Sequence, residues 1–484
     1  MILFALDFGK RLNVRHLMNF DIGMVGLGVM GRNLLLNLAD HGFRVIGLDT
    51  DAGKVQALKT EGNRESVDAT VDARAFLAAQ RLPRAIILLV PAGKAVDAAI
   101  AELTPNLTAG DLLIDAGNSH FKDTDRRHEE LAAKGFNFFG MGVSGGESGA
   151  RRGPSMMPGG PKAAYERVKP MLDAIAAKVN GEPCVTYIGA GSSGHYVKMV
   201  HNGIEYGIMQ LIAEVYDLLH RGVGLSNPEL ADLFDAWHQG ELNSFLIEIT
   251  AKIFRKIDAK TGKHLVDVIL DVARSKGTGK WTSQEAMDLQ APIMTIDAAV
   301  SMRDMSAHDS ERTQASKLYG GPTGRWQGDK TKAANQLRDA LYAAIVLTYA
   351  QGFAMLRKAD AARNYGLDLA AIARIWRGGC IIRSTLLETF RTAFDEQPIL
   401  PNLLLSSRVA GEINRCQGAL RETIKLAADL GISAGALTNA LTYFDAYRTG
   451  RLPTNLIQAQ RDFFGAHTYE RIDEPGKFHT KWEE

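Results

Sequence analysis

The sequence predicts an α/β domain on a largely parallel sheet, followed by a large all-α domain, internally duplicated, and an extended C-terminal tail. Three observations predict it. Between residues 20 and 190, short apolar runs alternate with helical stretches: "DIGMVGL", "RVIGLD", "AIILLV", "DLLIDAG", "FNFFGMGV" and "CVTYIG". Strands separated by helices imply parallel pairing with helices covering the faces. From Gly194 to about residue 460 the β-like runs give way to long helical patterns. Finally, "GLGVMG" at 26–31 follows the first apolar run and opens a helix, the setting of a Rossmann-type dinucleotide-binding domain.

The boundaries that follow are 18–193 for the dinucleotide domain, 194–455 for the helical domain and 456–484 for the tail. Residues 1–17 read as a poorly ordered extension, because Met18 stands just before "NFDIGMVGLG". That extension places its apolar stretch before its basic residues, the reverse of a secretory signal. Trp237 and Gly240 recur as Trp376 and Gly379, both pairs 139 residues apart, which suggests the duplication. Pro475 and Gly476 mark the tail as extended.

Composition narrows the function classes. A chain of 484 residues with 46% hydrophobic and 23% charged content is ordinary for a globular protein. Its net charge of +1, without runs of like charge, leaves no electrostatic footprint for nucleic acid or a membrane surface. Cys184, Cys380 and Cys416 lack metal or redox spacing and suit a reducing cytoplasm. The segment "LYAAIVLTYAQGFAML" at 341–356 carries Tyr, Thr and Gln and reads as a buried core helix.

In the glycine turn, Gly26, Gly28 and Gly31 have G-x-G-x-x-G spacing, and Leu27, Val29 and Met30 complete it. Glycine there allows the tight turn and the approach of backbone N–H groups to a pyrophosphate at a helix N-terminus. Asp49 ends the second strand, 23 residues after Gly26, where an acid hydrogen-bonds the ribose 2′-hydroxyl of NAD. With Asp51 close by, a 2′-phosphate meets repulsion of about 1 kcal/mol or more, so the local sequence favours NAD over NADP. Lys54 and Arg32 offset part of that repulsion.

The most informative stretch is "GHYVKMVHNGIEYG" at 194–207. Lys198, His201, Asn202 and Glu205 stand three, four and seven residues apart and share one helical stripe. The flanking residues are apolar, so this stripe needs partners or a ligand rather than water. Oxidation of an alcohol requires a base at the hydroxyl, and Lys198 serves if burial lowers its pKa. No metal-ligand cluster is evident, and "RRHEE" at 126–130 reads as a solvated helix face.

These residues, with "DAGNS", "GVSGGESGARRGPSMMPGG", "KGTGKWT" and "NLIQAQRDFFGAHTYE", resemble the decarboxylating 6-phosphogluconate dehydrogenases of the long-chain type, from about residue 20 to the C-terminus. The resemblance implies oxidation of 6-phosphogluconate at C3, loss of C1 as carbon dioxide, and release of ribulose 5-phosphate. It implies Lys198 as the base and Glu205 as the acid that protonates C1 of the enediol. Asn118 is implied between nicotinamide and substrate, with Ser144, Gly145 and Gly146 meeting the substrate and His201 and Asn202 orienting it. Tyr206, Lys276 and Arg303 are implied as a phosphate clamp, completed by Arg461 and His467 of a partner subunit in a homodimer. NADP-using relatives carry Asn-Arg-Thr where this chain has Asp49, Thr50 and Asp51, and many have Lys in the loop that here reads Val90, Pro91 and Ala92. NAD is therefore expected, with NADP as the family alternative. Two further readings remain open: a non-decarboxylating β-hydroxyacid dehydrogenase, and a non-catalytic dinucleotide sensor.

Overall fold

The computed structural model describes residues 20–63, 65–322 and 324–483. The extension expected at 1–17 lies outside the described residues. Strands β1 (Ile22–Val25), β2 (Val45–Leu48), β3 (Val67–Thr70), β4 (Ala85–Leu88), β5 (Leu112–Asp115), β6 (Asn137–Ser144) and β7 (Ser155–Gly159) form one sheet in the order β3-β2-β1-β4-β5-β6-β7. The first six pair in parallel, and β7 is antiparallel to β6. β1, β2, β4 and β5 are buried along their whole length, as their unbroken apolar runs require in a sheet covered on both faces. Those covers include α1 (Val29–Asp40), α2 (Ala52–Glu61), α3 (Ala73–Ala78), α4 (Lys94–Leu103), α5 (Phe121–Ala132), α6 (Gly146–Arg152) and α7 (Lys162–Ile175). Strand order reverses between β1 and β4, and a crevice beyond the carboxyl ends of strands at such a point is where ligands bind in open α/β sheets.

Two strands of this sheet were not foreseen, nor was a separate short pair, Lys178–Val179 with Glu182–Pro183, and one expected strand is absent. β3 reads "VDAT" and β7 "SMMPG", too short and too polar or proline-marked to stand out by pattern. The expected strand "CVTYIG" runs beside β7 without a regular ladder: Met156 N–H donates to the Cys184 carbonyl and Ile188 N–H to that of Pro158, with one bridge at Val185.

The helical half begins with α8 (Ser193–Asp217), then α9 (Asn227–His238), α10 (Phe245–Arg255), α11 (Thr278–Asp288), α12 (Met294–Ser306) and α13 (Asp309–Tyr319). The second half follows with α14 (Lys330–Arg363), α15 (Leu369–Trp376), α16 (Leu386–Glu396), α17 (Ser407–Leu430), α18 (Gly435–Tyr447) and α19 (Thr454–Gly465). A long helix followed by two shorter ones thus occurs twice, as α8-α9-α10 and α14-α15-α16. The two runs meet where Phe245 N–H donates to the Arg383 carbonyl and Thr385 N–H to that of Asn243. α14 packs on α8, α17 and α18. Its central stretch is long and apolar enough to cross a membrane, yet 89% of it is buried inside the protein. α19 spans the 455/456 boundary, and the chain after it pairs Tyr469 with Phe478.

Glycines set how closely the two halves approach. A Cβ on Gly140 would lie 2.5 Å from the His195 ring, and one on Gly142 would lie 2.4 Å from the Lys198 Cβ. The stem of Lys198 is thereby laid directly on the sheet.

Candidate active site

The three glycines of the first turn have distinct tasks. Gly26 adopts a φ of +96°, and a side chain there would strike the Leu89 carbonyl at 2.5 Å; one on Gly31 would strike the Gly26 carbonyl at 1.9 Å. Gly28, at the N-terminus of α1, faces open space. This is the bare, positively polarised helix end that a pyrophosphate needs. Beyond it lies a cavity of about 590 Å³ walled by Met30, the loop Val90–Pro91–Ala92, Asn118 and Trp281.

Asp49 closes one side of the turn. Its carboxylate accepts from Leu27 N–H at 2.8 Å and Asp51 N–H at 2.9 Å, and Lys54 stands 3.5 Å away. Burial pulls its pKa upward, but the two backbone donors and Lys54 outweigh it and hold the carboxyl below its usual range. Thr50 is exposed, and Asp51 caps α2 by accepting from Gly53 N–H.

A second cavity, of about 470 Å³, adjoins the first and shares Met30, Asn118, Val143 and Lys276 with it. Lys198, Asn202, Glu205 and Tyr206 line it from α8, and Ser144, Gly145 and Gly146 from the end of β6 and the start of α6. Lys198 is buried and donates to Asn202 Oδ1 at 2.8 Å. Burial pushes its pKa down, countered in part by the charge of Glu205. Glu205 moves the opposite way: burial raises its carboxyl, against Lys198 and Arg303. The two groups are displaced toward each other, as an acid and base on one stripe need.

His201 lies behind this wall rather than on it. It is fully buried, with Nδ1 at 3.3 Å from Lys198 Nζ and Nε2 at 3.3 Å from Ser144 Oγ. Burial and the adjacent Lys198 push its pKa well down, so it is neutral. Nδ1 also lies 3.2 Å from Asn202 Oδ1, which only accepts, and the Ser144 hydroxyl can donate to or accept from Nε2, so the site accommodates either neutral tautomer. Across the cavity, the Arg303 guanidinium stacks 3.5 Å from the centroid of Tyr206. Gly277, with a φ of +94°, and Gly279, where a Cβ would lie 2.5 Å from the Tyr206 ring, bring Lys276 to the same mouth.

The family model for the NAD binding domain of 6-phosphogluconate dehydrogenase matches residues 21–189, and that for the 6-phosphogluconate dehydrogenase C-terminal domain matches 194–482. The chain belongs to the 6-phosphogluconate dehydrogenase family. It is 51% identical to the NADP(+)-dependent, decarboxylating 6-phosphogluconate dehydrogenase of Bacillus subtilis, over 96% of this chain and 99% of that protein. To the decarboxylating enzyme of Escherichia coli it is 50% identical over 96% and 99%. The solved 6-phosphogluconate dehydrogenase of Plasmodium falciparum superposes with a TM-score of 0.92 at 41% identity, covering 96% of this chain and all of that one.

Of the residues expected from the 6-phosphogluconate dehydrogenase resemblance, the fold gathers most around the two cavities. Arg461 and His467 it does not: both are exposed on α19 and just after it, and neither is among the cavity-lining residues. One sequence reading is corrected. Arg126, Glu129 and Glu130 of "RRHEE" are exposed as expected, but Arg127 is only 1% exposed and pairs with the wholly buried Asp115. It shares a buried face with Phe121, Thr124 and Leu131, and that helical spacing was the available signal. His120 and Trp281, for which no site role was expected, meet ring edge to face at 4.9 Å beside the first cavity.

Proposed function

We propose that this chain is a decarboxylating 6-phosphogluconate dehydrogenase, oxidising its substrate at C3 and releasing ribulose 5-phosphate and carbon dioxide. The observation that carries the reading is the placement of Lys198 and Glu205, with oppositely displaced pKa values, on the wall of the second cavity, which adjoins the first through Met30, Asn118, Val143 and Lys276. Neutral Lys198 takes the C3 hydroxyl proton, and a bound nicotinamide dinucleotide supplies the hydride acceptor. The resulting ammonium donates to the new ketone oxygen, drawing electrons toward it as the C1 carboxylate leaves. Glu205, whose protonated form burial favours, then delivers a proton to C1 of the enediol. Neutral His201 holds Lys198 and Ser144 in register without adding a charge that would oppose the ammonium.

Asn118 and Met30 border both cavities, which supports roles at the junction of cofactor and substrate. Lys276, Arg303 and Tyr206 suit a dianionic phosphate, through charge-assisted hydrogen bonds. Arg461 and His467, exposed in the single chain, complete this clamp in a partner's site, making the working form a homodimer. Gly28 and the N-terminus of α1 hold the pyrophosphate, and ionised Asp49 sets a preference for NAD. The B. subtilis relative is an NADP(+)-dependent enzyme and the P. falciparum enzyme is known in complex with NADP+, so the ratio of the two coenzymes tests Asp49 separately from the activity.

Initial rates of NAD+ and NADP+ reduction with 6-phosphogluconate, together with carbon dioxide release, test the reading. Stoichiometric reduction and release are expected; no turnover with either coenzyme would overturn it.

A further inference from the structure

We propose that Arg127 is a positioning residue that ties the two cofactor loops together and fixes them against the helix of Lys198. The inference rests on the dinucleotide-binding reading above and goes beyond the residues assigned there.

Arg127 projects from α5 into the space between the ends of β4 and β5. Its Nε donates to Asp97 Oδ1 at 2.8 Å, in the first turn of α4. Its Nη2 donates to the Gly93 carbonyl at 3.0 Å, at the end of the loop that walls the cofactor cavity through Val90, Pro91 and Ala92. Its Nη1 lies 3.4 Å from both Asp115 Oδ2 and Ser119 Oγ. Asp115 passes the constraint on, accepting from Gly117 N–H at 3.0 Å and Ser119 hydroxyl at 2.6 Å. Asn118, at the border of the two cavities, is therefore held from both sides. A planar guanidinium offers donors in a fixed fork, so one side chain sets the spacing of both loops.

The same helix face reaches the catalytic side. Thr124, three residues before Arg127, hydrogen-bonds His195 Nδ1 at 2.7 Å, and His195 precedes Lys198 by three residues on α8. Residues three apart share a helix face. α5 thus sets the distance between the loop of Asn118 and the helix of Lys198, a separation on which hydride transfer depends steeply.

The test uses the full-length protein and reads dinucleotide binding at equilibrium by calorimetry, with NAD+ and NADP+ titrated separately. Arg127→Lys keeps a positive charge beside Asp115 but cannot span Asp97, Gly93 and Ser119 together. Its Kd for the preferred dinucleotide should rise about tenfold, as expected for losing one charge-assisted contact. Its Kd for 6-phosphogluconate should stay within about twofold, because the loops rather than the clamp are loosened. Equal dinucleotide Kd values in the two proteins would overturn the proposal, as would equal weakening of both ligands, which marks general loosening. If Arg127→Lys fails to fold, Asp97→Asn, at a carboxylate 41% exposed, is measured instead. A rise of about threefold in dinucleotide Kd supports the role, and no change overturns it. Binding needs no turnover, so a wild-type protein that binds dinucleotide without oxidising 6-phosphogluconate would sink the activity reading alone.

Discussion

Helices α5 and α8 each carry one cation into the interior, and the protein treats the two differently. Arg127 on α5 meets two carboxylates, a hydroxyl and a carbonyl, so its charge is matched on every side. Lys198 on α8 meets an amide oxygen and a neutral imidazole, and among the described residues no carboxylate hydrogen-bonds it. Burial with a full set of acceptors fixes a charge in place; burial with a partial set makes the charged form costly and the proton movable. Guanidinium suits the first task because it never loses its proton, and ammonium suits the second because it can. One helix holds and the other reacts.

Replacing each cation by methionine, similar in length and uncharged, sharpens the contrast most. Lys198→Met should lower kcat by about 10²–10⁴-fold, the usual worth of a positioned acid or base. The same variant should be more stable than wild type at neutral pH by about 1 kcal/mol or more, because wild type must either bury an incompletely paired ammonium or give up its proton to fold. The sign follows from linkage. The folded pKa of Lys198 is lowered, so its penalty is fully present below that value and fades as pH rises toward the unfolded value near 10.4. The stability advantage of methionine should shrink over the same interval in thermal melts. Arg127→Met should be less stable by about 3–5 kcal/mol, since Asp115 is left buried without its cation. If both variants shift in the same direction, the distinction between holding and reacting is lost.

Glu205→Gln asks whether the second displaced group also moves a proton. A loss of about 10²-fold in overall turnover is expected. In wild type, activity should fall at both ends of the pH range: Lys198 must be unprotonated, which fails as pH drops, and Glu205 protonated, which fails as pH rises. Glutamine cannot ionise, so the variant's residual kcat/KM should climb with pH to a plateau and show no alkaline fall. A bell that survives the substitution removes Glu205 from the proton transfers.

How much of this was legible in the sequence depended on the distance between the groups involved. The glycine turn and the α8 stripe are local: Gly26 to Gly31 and Lys198 to Glu205 each fit within about two helical turns, and periodicity alone exposes them. The approach of Lys198 to the sheet was not legible, because it depends on Gly142 at the far side of a chain crossover. Arg127 was misread for a related reason. Exposure is the rule for arginine, and only the fold brings Asp97, Gly93 and Asp115 around it. β7 escaped because its pairing comes from β6, whereas the apolar run of "CVTYIG" suggested a strand that does not close a ladder.

The C-terminal segment tests whether charge in the site is also borrowed from a second chain. Arg461→Ala should raise the KM for 6-phosphogluconate by about tenfold or more, the worth of a charge-assisted phosphate contact, with little change in dinucleotide KM. An unaltered substrate KM would mean that the tail does not complete a partner's site.

The smallest expected effect concerns Asp49, which belongs with Arg127 rather than with Lys198. Its carboxylate has two backbone donors and Lys54, and its pKa is held down, so at neutral pH it is a fixed negative charge beside the glycine turn. On the proposed reading, a fixed charge there repels a second phosphate and accepts from a hydroxyl, which would be discrimination by holding. Asp49→Asn keeps an oxygen for Leu27 N–H, removes the charge, and gives up the acceptor for Asp51 N–H. The ratio of kcat/KM for NADP to that for NAD should rise about tenfold, from a repulsion of about 1 kcal/mol at near-surface dielectric. Because Lys54 stands 3.5 Å away, the substitution also leaves that ammonium without its carboxylate and free to attract a phosphate, acting in the same direction. An unchanged ratio would show that Lys54 and the backbone donors already cancel the charge of Asp49, leaving coenzyme preference to other residues of the cavity.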